Sequence, residues 1–168
     1  MRQFEFPYNF DKQLLYTLQM LDPNGTTINC IYVPPYYHDY KTILRTGEQA
    51  FFLSNMTREE YENHILFINS LFPNKIQILL QRNDLLLNES MCKYYINLGI
   101  NKFCVGSIEQ AELLKKINPK LEIIGSISMH LDSTKIKDNI ENYKLWFDGF
   151  VLSFKAARDL QDIKNLPK

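Results

Sequence analysis

The chain has 168 residues, of which 45% are hydrophobic and 23% charged, a composition typical of one globular domain and not of a disordered chain. Lys plus Arg and Asp plus Glu number 19 each, so no overall positive charge favours general nucleic-acid binding. No apolar run approaches the roughly 18 residues of a membrane span, and the three cysteines form no CxxC pair. We therefore expect a cytoplasmic protein with neither a disulfide framework nor a membrane segment.

Short apolar segments alternate along the chain with segments of helical periodicity. The apolar segments predict strands covered on both faces, as in a parallel sheet. These strands are expected at 28–33, 76–80, 102–105, 121–128 and 150–153. Helices are expected at 11–21, 57–72, 88–98, 107–117, 133–144 and 156–164. Thr57 with Glu60 has the spacing of a capping box, and Ser107 begins a second helix in a similar way.

The order of these elements, one helix followed by five strand-helix units, predicts parallel strands joined by right-handed crossovers. An open doubly wound sheet and a (β/α) barrel both fit this order. The sequence has only six glycines and no glycine-rich phosphate loop, which favours the barrel. Five units are fewer than the eight that close a barrel. We therefore expect residues 1–168 to form a single α/β domain, a partial TIM-type (β/α) barrel that is the N-terminal portion of a larger one.

Several segments resemble one protein family. They are FPYNFDKQLLYTL, CIYVPP, TREEYENHILFIN, IQILLQR, LGINKFCVGSIEQAELLKKINPKLEIIGSISMHL and FVLSFKAARDL. Together they are similar to the N-terminal half of the collagenase-like peptidase family, whose catalytic type is unassigned. The resemblance implies a TIM-type barrel with hydrolase-like activity. Related branches hydroxylate tRNA or quinones with an iron–sulfur cluster, but its cysteines lie downstream of the matching region, so the cofactor of this chain stays unknown.

Candidate site residues follow from the rule that a (β/α) barrel carries its site at the carboxyl ends of the strands. Catalytic roles are expected for His130 as a general base, for Arg82 as a carboxylate or phosphate binder, and for Lys155 as a point charge. The expected ligand-binding residues are Tyr36, Tyr37, His38, Gln81, Ser107 and Ser128. For each of these side chains an ordinary loop or capping role is the competing interpretation, and no metal site is expected.

Three functions remain open at this point. The first is a segment of a TIM-barrel enzyme whose site is incomplete without further sequence. The second is a non-catalytic half-barrel interaction module. The third is a small-molecule binder that uses an aromatic and basic rim of Tyr36, Tyr37, His38 and Arg82. Unpaired edge strands and uncovered aliphatic side chains predict that the partner is either the missing C-terminal half of the barrel or a second copy of the chain.

Overall fold

The structure is a computed structural model that describes residues 4–36, 55–80, 87–131, 133–152 and 164. Among these residues strands alternate with helices, except that two consecutive helices precede the last strand. The strands are β1 (Phe4–Pro7), β2 (Ile28–Val33), β3 (Ile76–Leu80), β4 (Lys102–Val105), β5 (Glu122–Gly125) and β6 (Gly149–Phe150). The helices are α1 (Lys12–Leu21), α2 (Arg58–Leu71), α3 (Glu89–Asn97), α4 (Ile108–Ile117), α5 (Ser133–Asp138) and α6 (Ile140–Trp146). No described helix has the length and apolar character needed to cross a bilayer.

The strand order in the sheet is β1-β2-β3-β4-β5-β6, the order of the sequence itself. Pairing is parallel between β1 and β2, between β2 and β3, and between β5 and β6. Sequential parallel strands joined through helices are the arrangement found in part of a (β/α) barrel. The predicted fold class, an α/β partial barrel, is confirmed.

Four elements differ from the prediction. The strand expected at 150–153 is Gly149–Phe150, and residues 151 and 152 are not in a strand. Strand β1 was not predicted, because its sequence, FEFP, is short and its apolar residues are interrupted by a glutamate. In the structure this segment forms a strand by pairing with β2. The strand expected at 121–128 ends at Gly125, since the Ser126 hydroxyl accepts a hydrogen bond from the Ser128 N–H and starts a short 3-10 helix, Ile127–Met129. The helix expected at 133–144 is two helices separated at Asn139. The helix expected at 156–164 lies outside the described residues except for Lys164, which is helical.

Helix starts follow the sequence signals closely. Thr57 and Glu60 form a complete capping box, in which the Thr57 side chain accepts from the Glu60 N–H and the Glu60 carboxylate accepts from the Thr57 N–H. Ser107 caps α4 by accepting from the Gln110 N–H. Asp11 caps α1 in the same manner through the Gln13 N–H. Each cap satisfies an amide that the first helical turn leaves without a partner.

The chain divides into two compact units. Unit 1 comprises residues 1–79 and 94–102, and unit 2 comprises residues 80–93 and 103–168. The core of unit 1 contains fully buried residues from β2, α2 and β3, together with Leu15 of α1. The core of unit 2 is built on Phe103, Val105, Leu114 and Ile123. Near the end of unit 2, the rings of Tyr143, Phe147 and Phe150 pack together with centroids 5.1–5.9 Å apart.

Candidate functional site

The carboxyl ends of four strands are joined along one edge of unit 2. The Gly106 N–H donates to the Leu80 carbonyl at 3.1 Å and the Ser126 N–H donates to the Val105 carbonyl at 2.7 Å. The Val151 N–H donates to the Gly125 carbonyl at 2.8 Å. These bonds extend the ladder one residue past the ends of β4, β5 and β6. The loops that follow these strands therefore begin side by side, where parallel α/β sheets carry their ligand sites.

The loop after β4 is held in place by Gln110. Its side-chain oxygen accepts from the Gly106 N–H at 2.9 Å, and Gln110 itself is buried, with 4% of its surface exposed. The neighbouring Ser107 hydroxyl accepts from the Gln110 N–H as the cap of α4. Ser107 thus lies at the carboxyl edge of the strands, as predicted, and its hydroxyl caps the first turn of α4. Gln110 was not predicted, although its place three residues after Ser107 is the capping-box spacing.

The loop after β5 turns sharply on Ser126, which is fully buried. Its hydroxyl accepts from the Ser128 N–H at 3.2 Å, and the Met129 N–H donates to its carbonyl at 3.0 Å. At its base, Gly125 lets the side chains of Phe150 and Met129 approach closely. Ser128, a predicted ligand-binding residue, lies half-buried within this 3-10 turn. These hydrogen bonds hold the backbone of the loop after β5 in one conformation.

His130 ends the 3-10 turn in the left-handed backbone region, with φ 51° and ψ 43°. Its N–H donates to the Ile127 carbonyl, and its own carbonyl accepts from the Lys135 ammonium at 3.1 Å. The residue as a whole is exposed. A non-glycine residue in this region costs roughly 1–2 kcal/mol, and such strain concentrates at functional sites. An imidazole so placed is accessible to a ligand at the strand edge.

Tyr36 belongs to an aromatic cluster at the carboxyl ends of β1 and β2 in unit 1. Its ring centroid is 5.3 Å from that of Tyr61, and its N–H donates to the Tyr95 hydroxyl at 2.9 Å. The Tyr61 hydroxyl donates to the Pro34 carbonyl at 2.8 Å. Tyr61 is completely buried, and burial raises the pKa of its phenol well above the ordinary value. These contacts fix the chain that leaves β2, so Tyr36 has a packing role.

His64 of α2 packs at the same end of unit 1. Its Nδ1 is 2.7 Å from the Tyr8 hydroxyl, and its ring lies edge-on to Phe10 with centroids 5.4 Å apart. Burial, followed by the positive charge of Lys12, lowers the pKa of His64. Burial also raises the pKa of Tyr8. These contacts are those of a packed side chain.

Five predicted site residues lie outside the described residues: Tyr37, His38, Gln81, Arg82 and Lys155. Among the residues that the structure describes, no group of three or more His, Cys, Asp or Glu side chains is arranged to hold a metal ion. Cys30, Cys92 and Cys104 are free and buried. Burial raises the pKa of the Cys92 thiol to about 11, which keeps it protonated and unsuited to metal ligation.

Comparisons with known proteins add information on the fold alone. No family model matches the chain, and no curated protein matches it. Seven solved chains match in structure, among them a protein from Aquifex aeolicus VF5 described only as a structural study. It superposes with a TM-score of 0.54 at 16% sequence identity, over 96% of the present chain and 65% of that protein. The present chain therefore spans about two thirds of the length of that structure.

Proposed function

We propose that this chain supplies the carboxyl-edge loops of a (β/α)-barrel enzyme acting on a peptide or amide bond, with His130 as its general base. The observation that carries the proposal is the strained, exposed His130 at the carboxyl end of β5. The loop after β4 begins on the neighbouring strand, through the bond from the Ser126 N–H to the Val105 carbonyl. A general base needs an accessible imidazole on a rigid support, and the Ser126 turn provides that support.

The reaction class in this proposal is hydrolysis of a peptide or amide bond, and it comes from the sequence resemblance to collagenase-like peptidases alone. In that scheme His130 takes a proton from the attacking water, while Arg82 and Lys155 hold an anionic group of the substrate. The three free cysteines support a reducing, cytoplasmic location.

The test measures hydrolysis of gelatin and of a fluorogenic peptide library by the wild type and by His130→Asn and His130→Gly. Both replacements tolerate the left-handed backbone but lack the imidazole. We expect either one to lower the rate roughly 100-fold while leaving the protein folded. His64→Gln, which alters a packed histidine, is the control. Retained hydrolysis in both His130 variants, or none by the wild type, contradicts the proposal.

A second candidate function, an interaction module, is favoured by a different observation in unit 1. Phe4, Met20 and Leu21 are 64%, 76% and 78% exposed. They lie at one end of the unit, because the Phe4 N–H donates to the Thr27 carbonyl and Asp22, next to Leu21, accepts from the Thr27 N–H. Large exposed apolar side chains grouped in this way mark interaction surfaces. The partner would be the remainder of a barrel or a second copy of the chain.

A further inference from the structure

The segment that joins β1 to α1 holds two buried aromatic residues on a strained backbone. Tyr8 is fully buried and Phe10 is 8% exposed. Phe10 has φ 65°, in the left-handed region that a bulky side chain rarely occupies. A conformation of this kind persists only where the surrounding contacts determine it. The packing of Tyr8 and Phe10, here called the aromatic latch, therefore offsets the backbone strain at Phe10.

His64 of α2 is the central contact of the aromatic latch. Its Nδ1 is 2.7 Å from the Tyr8 hydroxyl, and its ring lies edge-on to Phe10 with centroids 5.4 Å apart. The ring of Tyr61, also on α2, has its centroid 6.2 Å from that of Phe10. His64 is the member of this group of four rings that can gain a positive charge near neutral pH.

The aromatic latch supplies much of the attachment of β1 to the sheet. Three of the four residues of β1 are exposed and the fourth is half-buried, so the strand itself buries little apolar surface. It stands at one end of the strand order and pairs with β2. The ladder continues into the latch, because the Tyr8 N–H donates to the Tyr32 carbonyl at 2.9 Å. Release of the latch therefore frees β1 and uncovers the backbone edge of β2.

Protonation of His64 weakens the contacts of the aromatic latch. A neutral imidazole can accept from the Tyr8 hydroxyl through Nδ1, whereas both nitrogens of an imidazolium are donors. Burial, assisted by the negative charge of Asp11, raises the pKa of Tyr8, so its hydroxyl keeps its proton. The new charge would also lie on a half-buried ring among aromatic side chains, and burying a charge is costly.

Two charged side chains act on His64 with opposite signs. Lys12 of α1 opposes a positive charge on the ring, and Glu60 of α2 favours one. Hydrogen bonds from Thr57 lower the pKa of Glu60, so its carboxylate stays charged in mildly acidic solution. Burial, followed by the effect of Lys12, outweighs Glu60 and lowers the pKa of His64.

The direction of the pH effect follows from this lowered pKa. In a released latch His64 faces water, and its pKa returns to the ordinary value of 6.5. The released form therefore takes up the proton first as the pH falls, and release becomes more favourable below pH 6.5. Above that pH both forms are neutral, and the latch keeps its full strength.

We propose that the aromatic latch is an acid-sensitive device, which fastens β1 to the sheet at neutral pH and releases residues 4–10 when His64 is protonated. The released state presents the unpaired edge of β2, a surface on which another strand can pair. The device lies within unit 1. It does not depend on the function proposed for His130.

Hydrogen exchange of the full-length, 15N-labelled chain, followed by NMR at about pH 7.5 and about pH 5, tests the proposal. Protection factors correct for the intrinsic effect of pH on exchange and report local opening. We expect the protection of the Tyr8 amide to fall several-fold at the lower pH. The Ile31 amide is the internal reference, because its N–H donates to the Lys75 carbonyl, away from β1, and it should stay protected.

Two histidine variants separate the charge of His64 from other effects of pH. His64→Gln retains an acceptor for the Tyr8 hydroxyl and cannot be protonated, so its Tyr8 protection should not vary with pH. His130→Gln alters an exposed histidine of unit 2 and is the matched control, expected to respond as the wild type does. If His64→Gln does not fold, the ring-proton shifts of His64 in the wild type decide. They should titrate over the pH range in which Tyr8 loses protection.

Three results would overturn the proposal. The first is a Tyr8 amide that is equally protected at both pH values in the wild type. The second is an equal loss in the wild type and in His64→Gln, which would assign the effect to another group. The third is a simultaneous loss of protection at Ile31, which would mean that unit 1 opens as a whole and that no separate release of β1 occurs.

Discussion

The carboxylate of Asp22 connects the end of α1 to the start of β2. Its Oδ1 accepts from the Thr26 N–H at 3.0 Å, and its Oδ2 accepts from the Thr27 and Ile28 N–H groups at 2.8 and 3.1 Å. Hydrogen bonds from Thr27, and then from the Ile28 and Thr26 amides, lower the pKa of Asp22 to about 2. A single side chain therefore satisfies three amides that would otherwise lack partners.

Replacing Asp22 by Asn is expected to lower the free energy of unfolding at neutral pH, because an amide group presents only one accepting oxygen to these donors. The folded pKa is about 2 and the ordinary value is 3.8, so the unfolded chain takes up the proton first as the pH falls. The stabilisation by Asp22 is therefore complete above about pH 4 and is lost as the pH falls towards 2.

Urea denaturation of the wild type and Asp22→Asn at several pH values checks this expectation. The difference in unfolding free energy should narrow between pH 4 and pH 2. Asp138→Asn, which alters an exposed carboxylate on α5, should leave stability unchanged. A difference between wild type and Asp22→Asn that does not vary with pH in this window would show that the carboxylate charge is not the cause.

Two glycines on the paired strands β5 and β6 differ in the space that is available for a larger side chain. Gly125 of β5 pairs with Phe150 of β6, and a Cβ added at Gly125 would lie 2.5 Å from the Phe150 ring. A Cβ added at Gly149 would lie 3.2 Å from the Ile124 Cδ1, the flexible tip of a side chain. The ring must shift to accept the first methyl group, whereas the tip can turn away from the second.

Gly125→Ala is accordingly expected to destabilise unit 2 by about 1–3 kcal/mol, the usual cost of overpacking. Gly149→Ala should cost less, since the smaller overlap is relieved by a rotation of the Ile124 side chain. Thermal and urea unfolding of the two variants provide the comparison. Equal losses would mean that the aromatic group of Tyr143, Phe147 and Phe150 moves without cost, contrary to its close packing.

Elements with a strong local signal could be predicted from the sequence, and those decided by pairing could not. The capping box at Thr57 and the cap at Ser107 depend on residues three apart, and both form as expected. Strand β1 forms because its backbone pairs with β2, which no local pattern in FEFP indicates. The end of β5 is set by the Ser126 hydroxyl, a choice between strand and turn that an apolar run does not reveal.

The same distinction between local signals and contacts in the folded chain applies to the candidate site. The strand-end rule located Ser107, Ser128 and His130 in the loops after β4 and β5, because only strand positions were needed for that step. The left-handed backbone of His130 and the hydrogen bond from the Gly106 N–H to the Gln110 side chain depend on contacts that form only in the folded chain. The sequence alone therefore does not predict them. The pairing of Tyr32 with Gln77 depends on the register between β2 and β3, which a one-residue shift would abolish. Register is not readable from one strand alone.

Exposed apolar side chains and two sheet edges bear on the behaviour of the whole molecule. Strands β1 and β6 are at the two ends of the strand order, and Phe4, Met20 and Leu21 are largely exposed. Covering a large apolar side chain is worth about 1.5–3 kcal/mol. We therefore expect the chain to self-associate at micromolar concentration, with Phe4→Thr, Met20→Gln and Leu21→Gln together restoring the monomer.

Sedimentation velocity over a range of concentrations measures this association. Leu66 and Leu145 are also exposed, by 57% and 66%, and lie on other elements. Their replacement by Gln is the control and should leave the association unchanged. A wild-type chain that stays monomeric, melts cooperatively and binds no hydrophobic dye would contradict the expectation.

The sequential strand order also has a consequence for synthesis on the ribosome. Each described strand neighbours the strand before it in the chain, so none of these pairings waits for a distant segment. Every residue of unit 1 has been translated once Lys102 has been added. Domains generally fold from the N-terminus during synthesis, and local topology favours rapid folding. Unit 1 can therefore begin to fold while most of unit 2 is still being translated, with the nascent chain adding one strand and one helix at a time.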